Sequence, residues 1–195
     1  MTRLLAGVAF AIALASGAHA IELSQSGASA MLRGEIKTGD DHVFREFLAR
    51  PGGAQIRTLY LHSPGGKVFE AREIARMVRN GGLTTAVDAS RAACNSACTA
   101  IFSGGVRRLY LNAAAVTDGG SGHLGLGFHE GNNPRGLSGQ REYSGRATGE
   151  MINTYYEMGV SGAASLVTKA NFNKLYRVSG ATALSLGIAT SLSAQ

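Results

Sequence analysis

Ser96 stands between the chain's two cysteines in the stretch RAACNSACTAIFSGG, residues 91–105. A serine at the start of a buried helix has two uses. Its hydroxyl can cap the helix. It can also act as a nucleophile at the positive helix end, with the Ala97 N–H beside it to stabilise an oxyanion; that use requires a base. Upstream, Ser63-Pro64-Gly65-Gly66 ends a β-rich run and precedes a helical pattern. Two glycines there let main-chain N–H groups face outward with no Cβ in the way. The following helix points its positive end to the same place. That combination suits an anion or a developing oxyanion, and it also suits an ordinary strand–helix turn.

Four histidines follow the first twenty residues: His42, His62, His123 and His129. His42 lies on an amphipathic pattern and reads as surface. His62 flanks the SPGG turn and reads as structural. His123 sits in a glycine-rich segment. His129 follows LGLGF, where a strand end would place it facing a pocket. The pattern GLGFHEG lacks the G-x-G-x-x-G spacing of a dinucleotide site.

The chain opens MTRLLAGVAFAIALASGAHA, with a basic start, an apolar run and Ala18-His19-Ala20. This is the pattern of a signal peptide, residues 1–20, cleaved after Ala20. The apolar run is short for a membrane anchor. The expected location is periplasmic or secreted, with no membrane span after cleavage. Removing Arg3 with the leader lowers the formal charge from +6 to +5. No Lys/Arg run or basic aromatic stripe is present, which argues against a nucleic-acid partner. In an oxidising compartment Cys94 and Cys98 favour a disulfide over two buried thiols. Four residues on one helical turn span about 6 Å, near the upper end of disulfide Cα separations, so Cys94 is placed just outside the helix. Two cysteines with no neighbouring His or carboxylate do not make a zinc site, so no metal is expected.

The elements that must position these residues alternate. Strands are predicted at 31–36, 56–61, 83–87 and 107–111. Helices are predicted from Asp40-Asp41 to Pro51, over 68–80, at 96–103, and at 148–158, 162–170 and 180–186. Residues 131–147 read as a polar, mobile loop. Residues 21–195 form one α/β domain with a largely parallel core sheet flanked by helices. In such sheets sites form where strands end and helices begin.

LYLHSPGGKVFEAREIARMVR, CNSACTAIFSGG and LGFHEG together resemble the Clp protease proteolytic subunit and its crotonase-like superfamily. Secreted Clp-like proteins with a C-x-S-A-C frame are the nearer likeness. Ser96 falls thirty residues after Gly66, and His129 thirty-three further on. SGATALSLGIATSL resembles the family's terminal helix and exit strand. The resemblance implies a β-β-α superhelix and a serine peptidase with no cofactor that cleaves peptides or proteins by acyl transfer. Ser96 would be the nucleophile, His129 the base, and the Gly66 and Ala97 N–H groups the oxyanion hole. The family's third residue is an aspartate before the terminal helix, yet this chain has no Asp or Glu after Glu157. Asn173 takes that place, with Asn171, Asp118 and Glu130 as alternatives; Lys67 is the alternative base. A non-catalytic Clp-like protein that binds peptides or partner proteins is the second reading, and an acyl-thioester enzyme the third. Assembly into a homo-oligomer is a further implication, with Met151, Ile152, Tyr155 and Tyr156 either in the contact or in the core.

Overall fold

A computed structural model describes residues 21–194. The predicted signal segment and its cleavage point lie outside the described residues.

The described residues start with a hairpin that the sequence pattern did not reveal. β1 (Ile21–Ser26) pairs antiparallel with β2 (Ser29–Gly34) around a two-residue turn at Gly27. The predicted strand over 31–36 is the second half of that hairpin. Only every other residue of β1 and β2 is buried at most, so neither shows a strong apolar run. α1 (Asp40–Ala49) follows, buries Phe44 and Phe47, and stops before Pro51. Gly39 rather than Asp40 is its N-cap; the Asp40 carboxylate accepts instead from the Lys37 N–H at 2.7 Å.

β3 (Thr58–His62), β4 (Thr84–Asp88) and β6 (Arg107–Leu111) continue the sheet in parallel, giving the order β1-β2-β3-β4-β6. Between β3 and β4 runs α2 (Val68–Asn80), whose apolar side buries Ala71, Ile74, Ala75 and Val78. Parallel strands need such a crossover.

A second sheet has the order β10-β7-β5. β5 (Ala93–Asn95) runs parallel to β7 (Gly125–Phe128), and β10 (Tyr176–Arg177) lies antiparallel to β7. β5 and β10 have three and two residues, too short for an alternation to register in sequence. α3 (Ala97–Gly104) leaves β5 directly and is buried along its whole length, as expected of a helix apolar on all sides. Its end is closed by Arg79 of α2, which donates to Gly104 O at 2.9 Å and Ser103 O at 2.8 Å.

The segment expected to be a mobile loop, 131–147, is partly ordered. β8 (Asn132–Asn133) pairs with β9 (Glu142–Tyr143), and the Glu142 carboxylate accepts the N–H groups of Leu137 and Ser138 across the tip. α4 (Gly145–Glu157) starts three residues earlier than predicted, capped by Ser144 Oγ, which accepts from the Ala147 N–H at 3.2 Å. α5 (Ser161–Val167) and α6 (Gly180–Ser185) complete the chain. Met151 and Tyr155 are fully buried in the core, Ile152 is partly buried at its edge and Tyr156 is exposed, so only Ile152 and Tyr156 of the four reach the surface. Among the described residues no helix is long and apolar enough to cross a membrane.

Candidate active site

The two sheets meet where β3 ends. The Ser63 N–H donates to Ala93 O at 2.8 Å, and the Asn95 N–H returns to Ser63 O at 3.0 Å. These bonds set the SPGG turn against the β5–α3 junction. An added Cβ on Gly65 would lie 2.6 Å from Asn95 O, 2.8 Å from Ser96 Cβ and 3.2 Å from Ala97 N. Glycine is required there for close approach as well as for its φ of +99°. Gly66, at φ +139°, would place a Cβ 2.1 Å from Ile36 O.

Ser96 has φ 52° and ψ −126°, a conformation that non-glycine residues rarely adopt. It is a strained elbow between β5 and α3. The strain is held by the backbone. The Ser96 N–H donates to Gly127 O at 2.8 Å, and Ser96 O accepts from the Thr99 N–H at 2.8 Å and from Thr99 Oγ1 at 2.5 Å. Its side chain makes no capping hydrogen bond to α3. The hydroxyl is thus not spent on the role that helix-start serines ordinarily fill, and the half-buried residue lines a cavity of about 840 Å³.

Gly66 and His129 line the same cavity. The Gly65 N–H goes to Ser63 Oγ and the Lys67 N–H to Ile36 O, which leaves the Gly66 N–H between them unbonded among the described residues. The Ala97 N–H opens α3 and has no intrahelical acceptor. His129 follows β7, is 6% exposed and has a pKa below the ordinary histidine value. Burial is the main cause; the Arg141 charge adds to it, and Glu130 opposes it. The ring is therefore a neutral base near pH 7. No hydrogen bond joins it to Ser96, and its buried Nδ1 has no partner.

None of the residues expected as the third member meets that nitrogen. Asn173 is exposed, and its N–H donates to Asn171 Oδ1 at 3.1 Å. The Asp118 carboxylate accepts from the Ser179 N–H at 2.7 Å and Thr182 Oγ1 at 2.6 Å, at the start of α6. Glu130 raises the His129 pKa through its backbone first and its charge second, and its carboxylate gives no hydrogen bond to Nδ1. Lys67, the alternative base, lies on the cavity wall and is exposed.

Cys94 and Cys98 form a disulfide with a Cα separation of 5.2 Å, and both residues are fully buried. It ties β5 to the first turn of α3 across Ser96. His62 is structural as expected, its Nδ1 accepting from the Ala93 N–H at 3.1 Å.

Several supporting residues gave no signal in the sequence. The buried Tyr155 hydroxyl lies 2.6 Å from Thr99 Oγ1, the group that bonds Ser96 O, and the Tyr155 ring packs against Phe128, next to His129. Buried Arg177 donates to Asn95 Oδ1 at 2.5 Å and to the carbonyls of Gly122, His123 and Gly125. These partners are 56 and 82 positions from the residues they support, beyond the reach of any local pattern.

The fold, a mixed α/β architecture with a mainly parallel sheet flanked by helices, is shared by solved structures at low sequence identity. Two solved structures of the 1510-N membrane-bound stomatin-specific protease share it, each at 13% identity over 86% of this chain. One is a serine-to-alanine variant, with a TM-score of 0.61 over 78% of its own length. The other is a lysine-to-alanine variant in complex with a substrate peptide, at 0.60 over 74%. An enoyl-CoA hydratase from Shewanella pealeana is similar at a TM-score of 0.50 and 11% identity, over 90% of this chain and 69% of that one. No family model matches the sequence, and no curated protein matches it.

Proposed function

We propose that the protein is a serine peptidase that cleaves peptides by acyl transfer through Ser96. The observation that carries this reading is the Ser96 backbone, held at φ 52° with its hydroxyl free of the helix cap, on a cavity shared with Gly66 and His129. Neutral His129 takes the Ser96 proton as Oγ attacks the scissile carbonyl. The Gly66 and Ala97 N–H groups receive the oxyanion. His129 then returns the proton to the leaving amine, and water releases the acyl group by the same path. A structural neighbour that is a protease, bound to a substrate peptide, supports the substrate class. The predicted leader and the Cys94–Cys98 bridge support an exported, oxidising location.

The second reading, a non-catalytic peptide-binding relative, is favoured by one observation: His129 Nδ1 has no group to orient the ring. One experiment separates the two. Protein comprising residues 21–195 is treated with a fluorophosphonate, and the adduct is located by peptide mass mapping. An adduct on Ser96, absent in Ser96→Ala and strongly reduced in His129→Ala, is expected for the peptidase. A folded, disulfide-bonded protein that takes no label overturns it in favour of the binding protein.

A further inference from the structure

The wall of the Ser96 cavity carries four cations, Lys37, Lys67, Arg141 and Arg146, against two carboxylates, Glu35 and Glu150. The balance is more one-sided than that. Glu150 is already paired with Arg72 of α2 at 3.2 Å, whereas Lys37, Lys67 and Arg146 have no carboxylate within ion-pair distance among the described residues. Arg141 spends one guanidinium nitrogen on Phe172 O and also has no carboxylate partner. His129 adds no compensating charge. The cations stand on two sides. Lys37 follows β2, and Lys67 precedes α2 beside the SPGG turn. Arg141 and Arg146 flank β9 and open α4, on the same wall as His129. The rest of the lining mixes apolar Val68, Phe69, Pro134 and Met151 with polar Asn132, Asn133 and Ser144, and Phe69 is 64% exposed.

A cleft lined by one sign of charge focuses its field and concentrates ligands of the opposite sign. Unpaired cations within reach of a bound chain favour carboxylates and oppose like charge. We propose that this site selects acidic peptides, taking an apolar residue near the scissile bond with Asp or Glu side chains on both sides of it. The selection rests on the peptide-cleft reading above, but it is read by binding alone.

The test uses the Ser96→Ala protein and two fluorescent peptides of equal length and identical apolar residues, one with Glu and one with Lys at the flanking positions. Binding is followed by fluorescence anisotropy. The Glu peptide is expected to bind at least ~10-fold more tightly at about 50 mM salt, with the advantage shrinking toward about 0.5 M as the charges are screened. Lys37→Glu and Arg146→Glu, one exposed residue from each side, should together abolish or invert the preference. Equal affinity for the two peptides, or tighter binding of the Lys peptide, overturns the proposal, as does a Glu preference unaffected by both salt and the charge reversals. The outcome is independent of the peptidase reading: failure to label Ser96 in the wild type removes the chemistry, whereas loss of the Glu preference removes only the selectivity.

Discussion

The proposed chemistry rests on a few atoms whose surroundings are now specified. Ser96→Ala is expected to remove fluorophosphonate labelling while leaving the fold, because the hydroxyl makes no capping bond. The pH dependence follows from His129. Its pKa is lowered by burial, so the base form persists below the ordinary histidine value of about 6.5. The labelling rate should fall with acidification through a midpoint below about 6.5, as protonation removes the base. A midpoint at or above about 6.5 would show that a different group controls the reaction. Gly65→Ala is the complementary residue-level test. Its new Cβ would meet Asn95 O at 2.6 Å and Ser96 Cβ at 2.8 Å. Labelling should be lost and the thermal midpoint lowered, with a cost of about 1–3 kcal/mol from the strained φ alone.

At the level of elements, the site is the joint between β5 and α3, and two devices hold it. The disulfide spans the joint and is fully buried, so a reductant in solution reaches it only when the region opens. Replacing both cysteines by alanine should cost about 2 kcal/mol on the chain-entropy account of so short a loop, measured as a shift in the denaturant midpoint. The second device runs from α4. Tyr155 supports Thr99, which supports Ser96 O, and its ring touches Phe128 beside His129. Tyr155→Phe keeps the ring and removes only the hydroxyl, at a stability cost of about 1 kcal/mol. A fall in labelling rate larger than this small destabilisation explains, in a protein that is still folded, would show that Tyr155 positions the elbow; an unchanged rate would confine it to packing.

Across the whole molecule, the C-terminal part is tied to the site by one buried cation. Arg177 of β10 holds Asn95 and three carbonyls of the segment leading into β7. Burial lowers its pKa, and among the described residues no carboxylate pairs with it, so its charge is stabilised by carbonyl dipoles. Arg177→Ala leaves those acceptors without their donor inside the protein and should destabilise by about 3 kcal/mol or more, read by chemical denaturation. On the other side, Arg72 and Arg76 of α2 meet Glu157 of α4, and Arg72 also meets Glu150. This network fixes two walls of the cavity relative to each other. Glu157 is held below the usual carboxylate range, first by the Arg76 hydrogen bond.

The local sequence determined the parallel α/β core, because β3, β4 and β6 contain β-rich runs, α2 an amphipathic pattern and α3 an apolar run, with glycine or proline marking several of their ends. It also marked Ser96, Gly66 and His129, since a small residue before a helix, a glycine pair after a strand and a histidine after a strand are local features. The Cys94–Cys98 pairing was legible for the same reason, being four residues apart. What only the tertiary structure decided lies in long-range pairing. The short strands β5 and β10 owe their existence to partners brought by the fold. The Ser96 φ is imposed by Gly127 O and Thr99, and the Thr99–Tyr155 and Arg177–Asn95 contacts join distant parts of the chain. Asn173, placed by chain order near a terminal helix, turns out to face solvent. Order along the chain sets which residues can approach, but burial and backbone hydrogen bonds select which of them meet.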